Sequence, residues 1–460
     1  MNHDDLNHWS KWAADWITRY HQDMPDRPVR PALNPGKVID QLPPTPPMEA
    51  VDPSVIVEDF QRIVPDAMTH WQHPRFFAYF PANAAPASML AEQLANGIAA
   101  QCMLWQTSPA ATEMEIVMVD WMRQALGLAD HFRGTIQDSA TTATLSAVLT
   151  MRERALDWSG NTKGLFGQPR LRVYCSDQTH SSIDKAVRIA GIGQDNLVRI
   201  QTDASLSMTP QALEAAINHD VAAGFKPAGL ILSIGGTSVG GTDKLPALIA
   251  VARTYDLYVH VDAAWAGSAM ICPEFRPIWS GVDGAHSVVM NPHKWLGAQF
   301  DCSIQFLADP EPQVRTLGLR PDYLQTLETG DVTDFNEWTV PLGRRFRALK
   351  LWFLFRAYGL DGLRGRIRNH VNWAHELCEH IRARPGFKIT SEPMLSLFSF
   401  QFHDDARTEA LLKRINDDGR VYLTQTRHNG KFVIRVSVGQ FDCTREDVMM
   451  ISQVLDELAD

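Results

Sequence analysis

Leu257-Tyr-Val-His-Val-Asp262 decides the fold class of this chain. It is a run of strand-forming residues closed by a carboxylate, and the stretch before it, Leu245–Tyr255, has helical spacing. The alternation repeats on both sides. Apolar, β-branched runs recur at Leu171–Cys175, Leu197–Ile200, Gly229–Ile234 and Ser287–Met290, and Pro210–Ala222 reads as a further helix between two of them. Thr209 ahead of Pro210 gives that helix a capping hydroxyl and a proline in its first turn. From about residue 134 onward, then, the pattern predicts an α/β domain with a mostly parallel sheet and helices on both faces. Such sheets bind ligands beyond the carboxyl ends of their strands, so the residues just after each run are the first functional candidates.

Outward from this sheet the chain divides into an N-terminal helical arm for dimerisation (1–85), the large α/β domain (86–349) and a small α+β domain (350–460). In the arm, Leu6–Tyr20 is an amphipathic helix with Trp9, Trp12, Ala13, Trp16 and Ile17 at helical spacing. That is too much apolar area to leave in water, and a second subunit is the expected cover. Pro25–Pro47 is proline-rich and reads as an extended strap, followed by a second helix over about Pro53–Trp71. Beyond Leu349 the pattern predicts a long aromatic-rich helix, alternating strands at Leu397–Phe402 and Phe432–Val438, and a closing helix from about Thr444.

The 460 residues are 45% hydrophobic and 21% charged, ordinary for a globular protein, and the net charge of -10 argues against a nucleic-acid binder. No apolar run approaches the roughly 18 residues of a membrane span. The start, Met1-Asn-His-Asp-Asp5, is acidic and lacks the basic n-region of a secretory signal. Six cysteines (102, 175, 272, 302, 378, 443) form no Cys-x-x-Cys pair, which suits a reducing cytoplasm rather than a disulfide framework or zinc ribbon. His70 and His73 stand three apart, but Pro74 ends any helix and no acid is near, so no metal site is expected.

Four chemical groups fall just past predicted strands: His180, Thr237, Asp262 and Lys294. Lys294 lies in Asn291-Pro-His-Lys-Trp-Leu296, a tight turn after the strand ending at Met290. A lysine that can reach from there into a pocket, losing its hydration, becomes a nucleophile towards aldehydes. Gln137-Asp-Ser-Ala-Thr-Thr-Ala-Thr144 adds small hydroxyl residues, Ser139 and Thr141 among them, leading into a helix over Ala143–Arg154. Free backbone N–H groups at such a positive end make a phosphate cradle without glycine. A lysine, a phosphate cradle, a strand-end aspartate and an imidazole together suit pyridoxal 5′-phosphate (PLP). Lys294 would condense with its aldehyde, Asp262 would keep the pyridine nitrogen protonated, and His180 would stack on the ring.

The residues Trp71–Pro81, Asp177-Gln-Thr-His-Ser-Ser182, His260-Val-Asp-Ala-Ala-Trp-Ala-Gly-Ser-Ala269, Asn291–Leu296 and Pro341-Leu-Gly-Arg-Arg-Phe-Arg347 carry a resemblance along essentially the whole chain. The sequence resembles the group II PLP-dependent decarboxylases, and within them the aromatic L-amino acid decarboxylases, bacterial type included. The resemblance implies the aspartate-aminotransferase-like fold (fold type I) and a homodimer with shared active sites, across which the N-terminal helices interlock. It matches Lys294 to the lysine that carries the cofactor, Asp262 to the pyridine-nitrogen partner and His180 to the stacking imidazole near the substrate carboxylate. Ala264 would pack on the opposite ring face and Thr237 would stand near the ring hydroxyl. Ser139, Ala140, Thr141, Asn291 and His293 would hold the phosphate.

PLP labilises whichever Cα bond stands perpendicular to its ring, so the protein selects the reaction by orientation and by its proton donor. Leu317–Asp334 is polar, punctuated by glycine and long for a connection, and reads as a water-excluding lid. Tyr323 lies inside it, and the resemblance makes that tyrosine the Cα proton donor. Relatives with phenylalanine there, or with asparagine for the stacking histidine, form aldehydes oxidatively; this chain keeps both Tyr323 and His180, which favours plain decarboxylation. Trp71, Tyr79, Phe80, Pro81 and Met103 suit a flat aromatic side chain, and the resemblance matches Gly343 to a position where glycine leaves room for indole-sized substrates. Ala82 stands where the animal enzymes have a threonine beside the catechol hydroxyls, and Met103 where they have phenylalanine. Loss of a hydroxyl partner predicts activity on tryptophan, phenylalanine and tyrosine alongside DOPA. Acidic substrates are disfavoured because this pocket set offers no arginine clamp. The alternatives are an aromatic aldehyde synthase and, more remotely, a serine hydrolase built on Ser238 in Gly236-Thr-Ser-Val-Gly240, although the helix such an elbow needs starts only near Pro246.

Overall fold

The computed structural model describes residues 1–319 and 332–459. The large domain is built on a seven-stranded sheet, β1 (Arg133–Gln137), β2 (Leu171–Ser176), β3 (Leu197–Ile200), β4 (Lys226–Ser233), β5 (Tyr258–Asp262), β6 (Ser287–Met290) and β7 (Ser303–Leu307), in the order β1-β7-β6-β5-β4-β2-β3. Helices cross between the strands, so β3, β2, β4, β5 and β6 run parallel. Every residue of β5 and β6 is buried, which explains their continuous apolar character: both faces are covered.

β1 and β7 carry no such run, because their inward polar residues are satisfied internally. Glu115 accepts from the Thr135 hydroxyl and the Ile136 N–H, both at 2.8 Å, while Gln137 donates to Gln305 at 3.0 Å. β7 is antiparallel to both of its neighbours, so the sheet is mixed with a parallel centre. It also aligns the edge that matters. Gln137 pairs with Ser303 and Met290 with Ile304, which puts the carboxyl ends of β1 and β6 level at one edge, on either side of β7.

The arm consists of α1 (His3–Gln22) and α2 (Pro53–Ile63) joined by a strap containing two short 3-10 turns. No residue of α1 is buried; Trp16 packs edge-on against Phe60 at 4.9 Å, and Trp9 and Trp12 stay partly exposed. α2 stops at Ile63, short of Trp71; Val64 still has helical geometry, but Pro65 has no N–H to continue the hydrogen-bond ladder. After α3 (Pro86–Ile98) and α4 (Pro109–Leu126), α5 (Ala140–Ala155) lies across β4 to β7. A second, antiparallel sheet has the order β10-β11-β9-β8, with β8 at Phe387–Met394, β9 at Leu397–Phe402, β10 at Thr424–His428 and β11 at Lys431–Ser437. Ala348–Arg382 is a helical stretch broken into two helices at Gly359 (φ +62°), and it packs on α3 and α4 as well as on β8 and the closing helix Arg445–Leu458. No helix among the described residues is long and apolar enough to cross a membrane.

Buried charge in this scaffold is balanced. Arg344 Nη2 donates to Glu115 at 2.7 Å and to the Ile136 carbonyl at 2.9 Å, although its Nε and Nη1 have no hydrogen-bond partner among the described residues. Lys350 reaches Glu92 at 3.1 Å and the carbonyls of Gln299 and Asp301 at 3.1 and 2.7 Å.

Candidate active site

Because β6, β5, β4 and β2 are neighbours, the segments after their carboxyl ends converge on one place. Asp262 ends β5, Lys294 follows β6, Thr237 follows β4 and His180 follows β2. The Asn291 N–H donates to the Ala264 carbonyl at 2.9 Å, tying the turn after β6 to the segment after β5. Pro292–Trp295 then makes a single helical turn that aims Lys294 into a cavity of about 930 Å³. Trp71, Tyr79, Phe80, Pro81, Ala82, His180, Thr237, His293 and Lys294 all line it.

Burial pulls the Lys294 amine down to about 8, with Arg435 adding to the fall and Asp262 opposing it. Its Nζ lies 4.9 Å from the Phe80 ring centroid, and among the described residues it has no ion pair. Near-neutral pH therefore leaves a usable fraction of free amine. Asp262 is buried and accepts the Ala264 N–H at 3.0 Å, leaving its carboxylate capacity for a second donor. His180 stands exposed on the rim; Nδ1 accepts the Ser182 N–H at 3.1 Å, so a neutral ring carries its proton on Nε2. Desolvation holds His180 below the ordinary histidine range, with Asp262 opposing and Lys294 reinforcing that shift. His293 is driven to about 3 mainly by burial, and its Nδ1 accepts the Cys302 N–H at 2.9 Å.

The start of α5 completes the edge. Ser139 caps it, accepting the Thr142 N–H at 3.2 Å, and because β1 and β6 end level on either side of β7, α5 starts at the same sheet edge as Asn291. The Asn291 Oδ1 is buried without a hydrogen-bond partner among the described residues, a polar atom in need of a ligand. A desolvated lysine, a strand-end carboxylate and an orphaned amide beside a helix N-terminus fit PLP.

Three features were not anticipated. Asn83 donates to the Lys294 and Gly439 carbonyls, both at 2.9 Å, and so fixes the lysine turn. Phe80, Trp265, Trp295 and His370 form a continuous ring stack with successive centroids 4.7, 5.0 and 6.4 Å apart. Arg435 of β11 lines the cavity, only 3% exposed, so the expectation of a pocket without arginine is corrected. No sequence signal marked it, since β11 reads as an ordinary strand.

Met103 and Gly343 do not line this cavity. They form a separate cluster in which Asn336 N–H donates to the Met103 carbonyl at 3.1 Å and Cys102 N–H to the Arg344 carbonyl at 3.0 Å. Ser238 is no hydrolase nucleophile: its hydroxyl pairs with Thr426 at 2.7 Å, its carbonyl accepts from Arg435, and the next helix waits until Leu245. His70 bonds the Tyr20 hydroxyl at 2.7 Å and His73 the Arg27 carbonyl at 3.1 Å, so both rings serve the arm. Tyr323 lies outside the described residues.

The profile of the pyridoxal-dependent decarboxylase conserved domain matches residues 35–403. This chain belongs to the pyridoxal-dependent decarboxylases. It is 38% identical over 461 residues to tyrosine decarboxylase 2 of Arabidopsis thaliana, covering 95% of this chain and 84% of that one. It is also 35% identical over 457 residues to phenylacetaldehyde synthase of the same plant, covering 95% and 92%. The crystal structure of Oryza sativa TDC with PLP and tryptamine superposes with a TM-score of 0.97 at 33% identity, covering 100% of this chain and 98% of that one. The decarboxylase is thus a fold type I carboxy-lyase whose cofactor is PLP. When bound, PLP supplies the electron sink that lets an amino acid lose its carboxylate.

Proposed function

We propose that this decarboxylase converts aromatic L-amino acids of the tryptophan, phenylalanine, tyrosine and DOPA class to the aryl amine and CO2. One observation carries the reading: the cavity that receives the desolvated Lys294 is walled by Trp71, Tyr79, Phe80 and Pro81, a flat apolar slot for an aromatic ring. Lys294 carries the cofactor, Asp262 holds the proton on its pyridine nitrogen, and Asn291, His293, Ser139, Ala140 and Thr141 hold its phosphate. His180 and Ala264 cover the two ring faces, and Thr237 stands by the ring hydroxyl. Tyr323 returns the proton to Cα once CO2 has left.

The protein acts as a homodimer in a reducing cytoplasm. A second copy brings its Met103 and Gly343 cluster to the Lys294 cavity, and the half-exposed tryptophans of α1 find their cover there. Mixing Lys294→Ala with a Gly343→Trp variant should restore about a quarter of wild-type activity through mixed dimers. Two variants that stay inactive together would leave each site within one chain.

Likeness to an aldehyde synthase supports a second outcome, decarboxylation with oxidative deamination. Incubation with L-tyrosine and PLP separates the two: equimolar CO2 and tyramine are expected, and aldehyde with peroxide would overturn the amine reading. In Tyr323→Phe, amine release should collapse while aldehyde and peroxide rise; undiminished amine would remove Tyr323 from the chemistry.

A further inference from the structure

Arg435 is the least explained charge in the molecule. It is buried, its Nε donates to the Ser238 carbonyl at 3.1 Å, and its Nη1 donates to the Tyr79 carbonyl. Its Cζ lies 4.4 Å from the Phe80 centroid, while Nη2 has no hydrogen-bond partner among the described residues. Those contacts join three pieces of chain that sequence separates widely: the arm at Tyr79, the loop after β4 at Ser238, and β11 itself. The arm is already drawn along this sheet, since Ser437 N–H donates to the Phe77 carbonyl and Phe77 N–H to the Tyr422 carbonyl, both at 3.0 Å. Two residues later, Tyr79 adopts φ +50°, a left-handed conformation that a non-glycine residue keeps only when its surroundings enforce it. That turn is what lays the Phe80 ring on Trp265 at 4.7 Å and within 4.9 Å of the Lys294 amine.

We propose that Arg435 is a positioning residue, a three-way latch that enforces the left-handed turn at Tyr79 and thereby seats Phe80 between Trp265 and the Lys294 amine. The planar fork matters, because Nε and Nη1 address two different segments from two different points at once; a lysine's three donors all radiate from one atom, which cannot stand at both points. The free Nη2 invites a rival role as a clamp for the substrate carboxylate. Physical logic disfavours it. A clamp that grips the carboxylate in the ground state stabilises the very charge that decarboxylation removes, and so slows the step.

The test uses Arg435→Gln and Arg435→Lys in the full-length protein, with CO2 release from L-tyrosine as the activity. Both should lose about tenfold or more in kcat/KM. Inhibition by tyramine, which lacks the carboxylate, and by 3-(4-hydroxyphenyl)propionate, which keeps it, should weaken by the same factor in each variant. Against a Tyr79→Gly background, where the left-handed turn needs no support, Arg435→Gln should cost less than about threefold. Near-ultraviolet circular dichroism of the cofactor-free protein should change as it does in Phe80→Leu, which reads the Phe80–Trp265 stack without substrate or cofactor. Full activity in Arg435→Lys, weakened binding of the propionate alone, fully multiplicative losses, or an unchanged dichroism spectrum would each overturn the latch. Should the glutamine variant fail to fold, the lysine variant carries every measurement, and the dichroism result stands whatever the preferred substrate proves to be.

Discussion

Two parts of this protein bury positive charge and treat it oppositely. In the scaffold, Arg344 faces Glu115 at 2.7 Å and Lys350 faces Glu92 at 3.1 Å; each cation has a carboxylate partner, Glu92 being shared with Arg345. In the cavity, Lys294 and Arg435 approach the Phe80 ring at 4.9 and 4.4 Å, and among the described residues neither forms an ion pair. Removing a cation from water costs several kcal/mol unless a partner offsets it. The scaffold meets that cost locally. The cavity leaves it standing, and desolvation is what frees the Lys294 amine for covalent chemistry. Among these four buried cations, the paired ones belong to the framework and the unpaired ones to the cavity.

Substitutions on either side should break in opposite ways. The largest effect belongs to Lys294→Ala: CO2 release should fall by about 10⁴-fold or more, while the melting temperature of the cofactor-free protein holds or rises. A loss of stability matching the loss of activity would erase the contrast. Next comes Glu115→Gln, which strands the Arg344 charge; denaturant unfolding should show a loss of about 3 kcal/mol, with kcat per folded molecule nearly unchanged.

A smaller effect lies in pH. The folded chain gives up the Lys294 proton at about 8, whereas an unfolded lysine holds it to about 10.4, so between those values the unfolded state binds more protons. Stability of the cofactor-free protein should therefore rise with pH across that window, relative to Lys294→Met, and the difference should be flat below about pH 7. Thermal melts of the two proteins at pH 7, 8.5 and 10 would check it; a relative fall would reverse the sign. The smallest effect is at Ala82. Restoring a hydroxyl with Ala82→Thr should shift kcat/KM towards DOPA over phenylalanine by only about threefold to tenfold.

The sequence made the catalytic edge legible because parallel strands announce themselves as apolar runs, and the residues after them are placed by topology alone. Asp262, Thr237, His180 and Lys294 needed no side-chain contacts to be brought together. β1 and β7 escaped notice because Thr135, Gln137 and Gln305 face inward and satisfy one another, which breaks the apolar signature of a buried strand. Arg435 escaped for a different reason. A charged residue in an alternating strand reads as solvent-facing, and only the approach of Tyr79 and Ser238 from distant parts of the chain turns it inward. Met103 and Gly343 show the limit of both views, since motif resemblance puts them at the substrate while the single chain keeps them apart from Lys294.

The Phe80–Trp265–Trp295–His370 stack has an optical consequence. Two buried indoles, with ring centroids 5.0 Å apart, sit behind the Phe80 ring that faces the Lys294 amine, the proposed cofactor lysine, and their ultraviolet emission overlaps the absorption of a bound pyridoxal chromophore. Loading the cofactor should quench them by energy transfer, so the protein contains its own occupancy gauge, and a fluorescence titration needs no added dye to count filled sites.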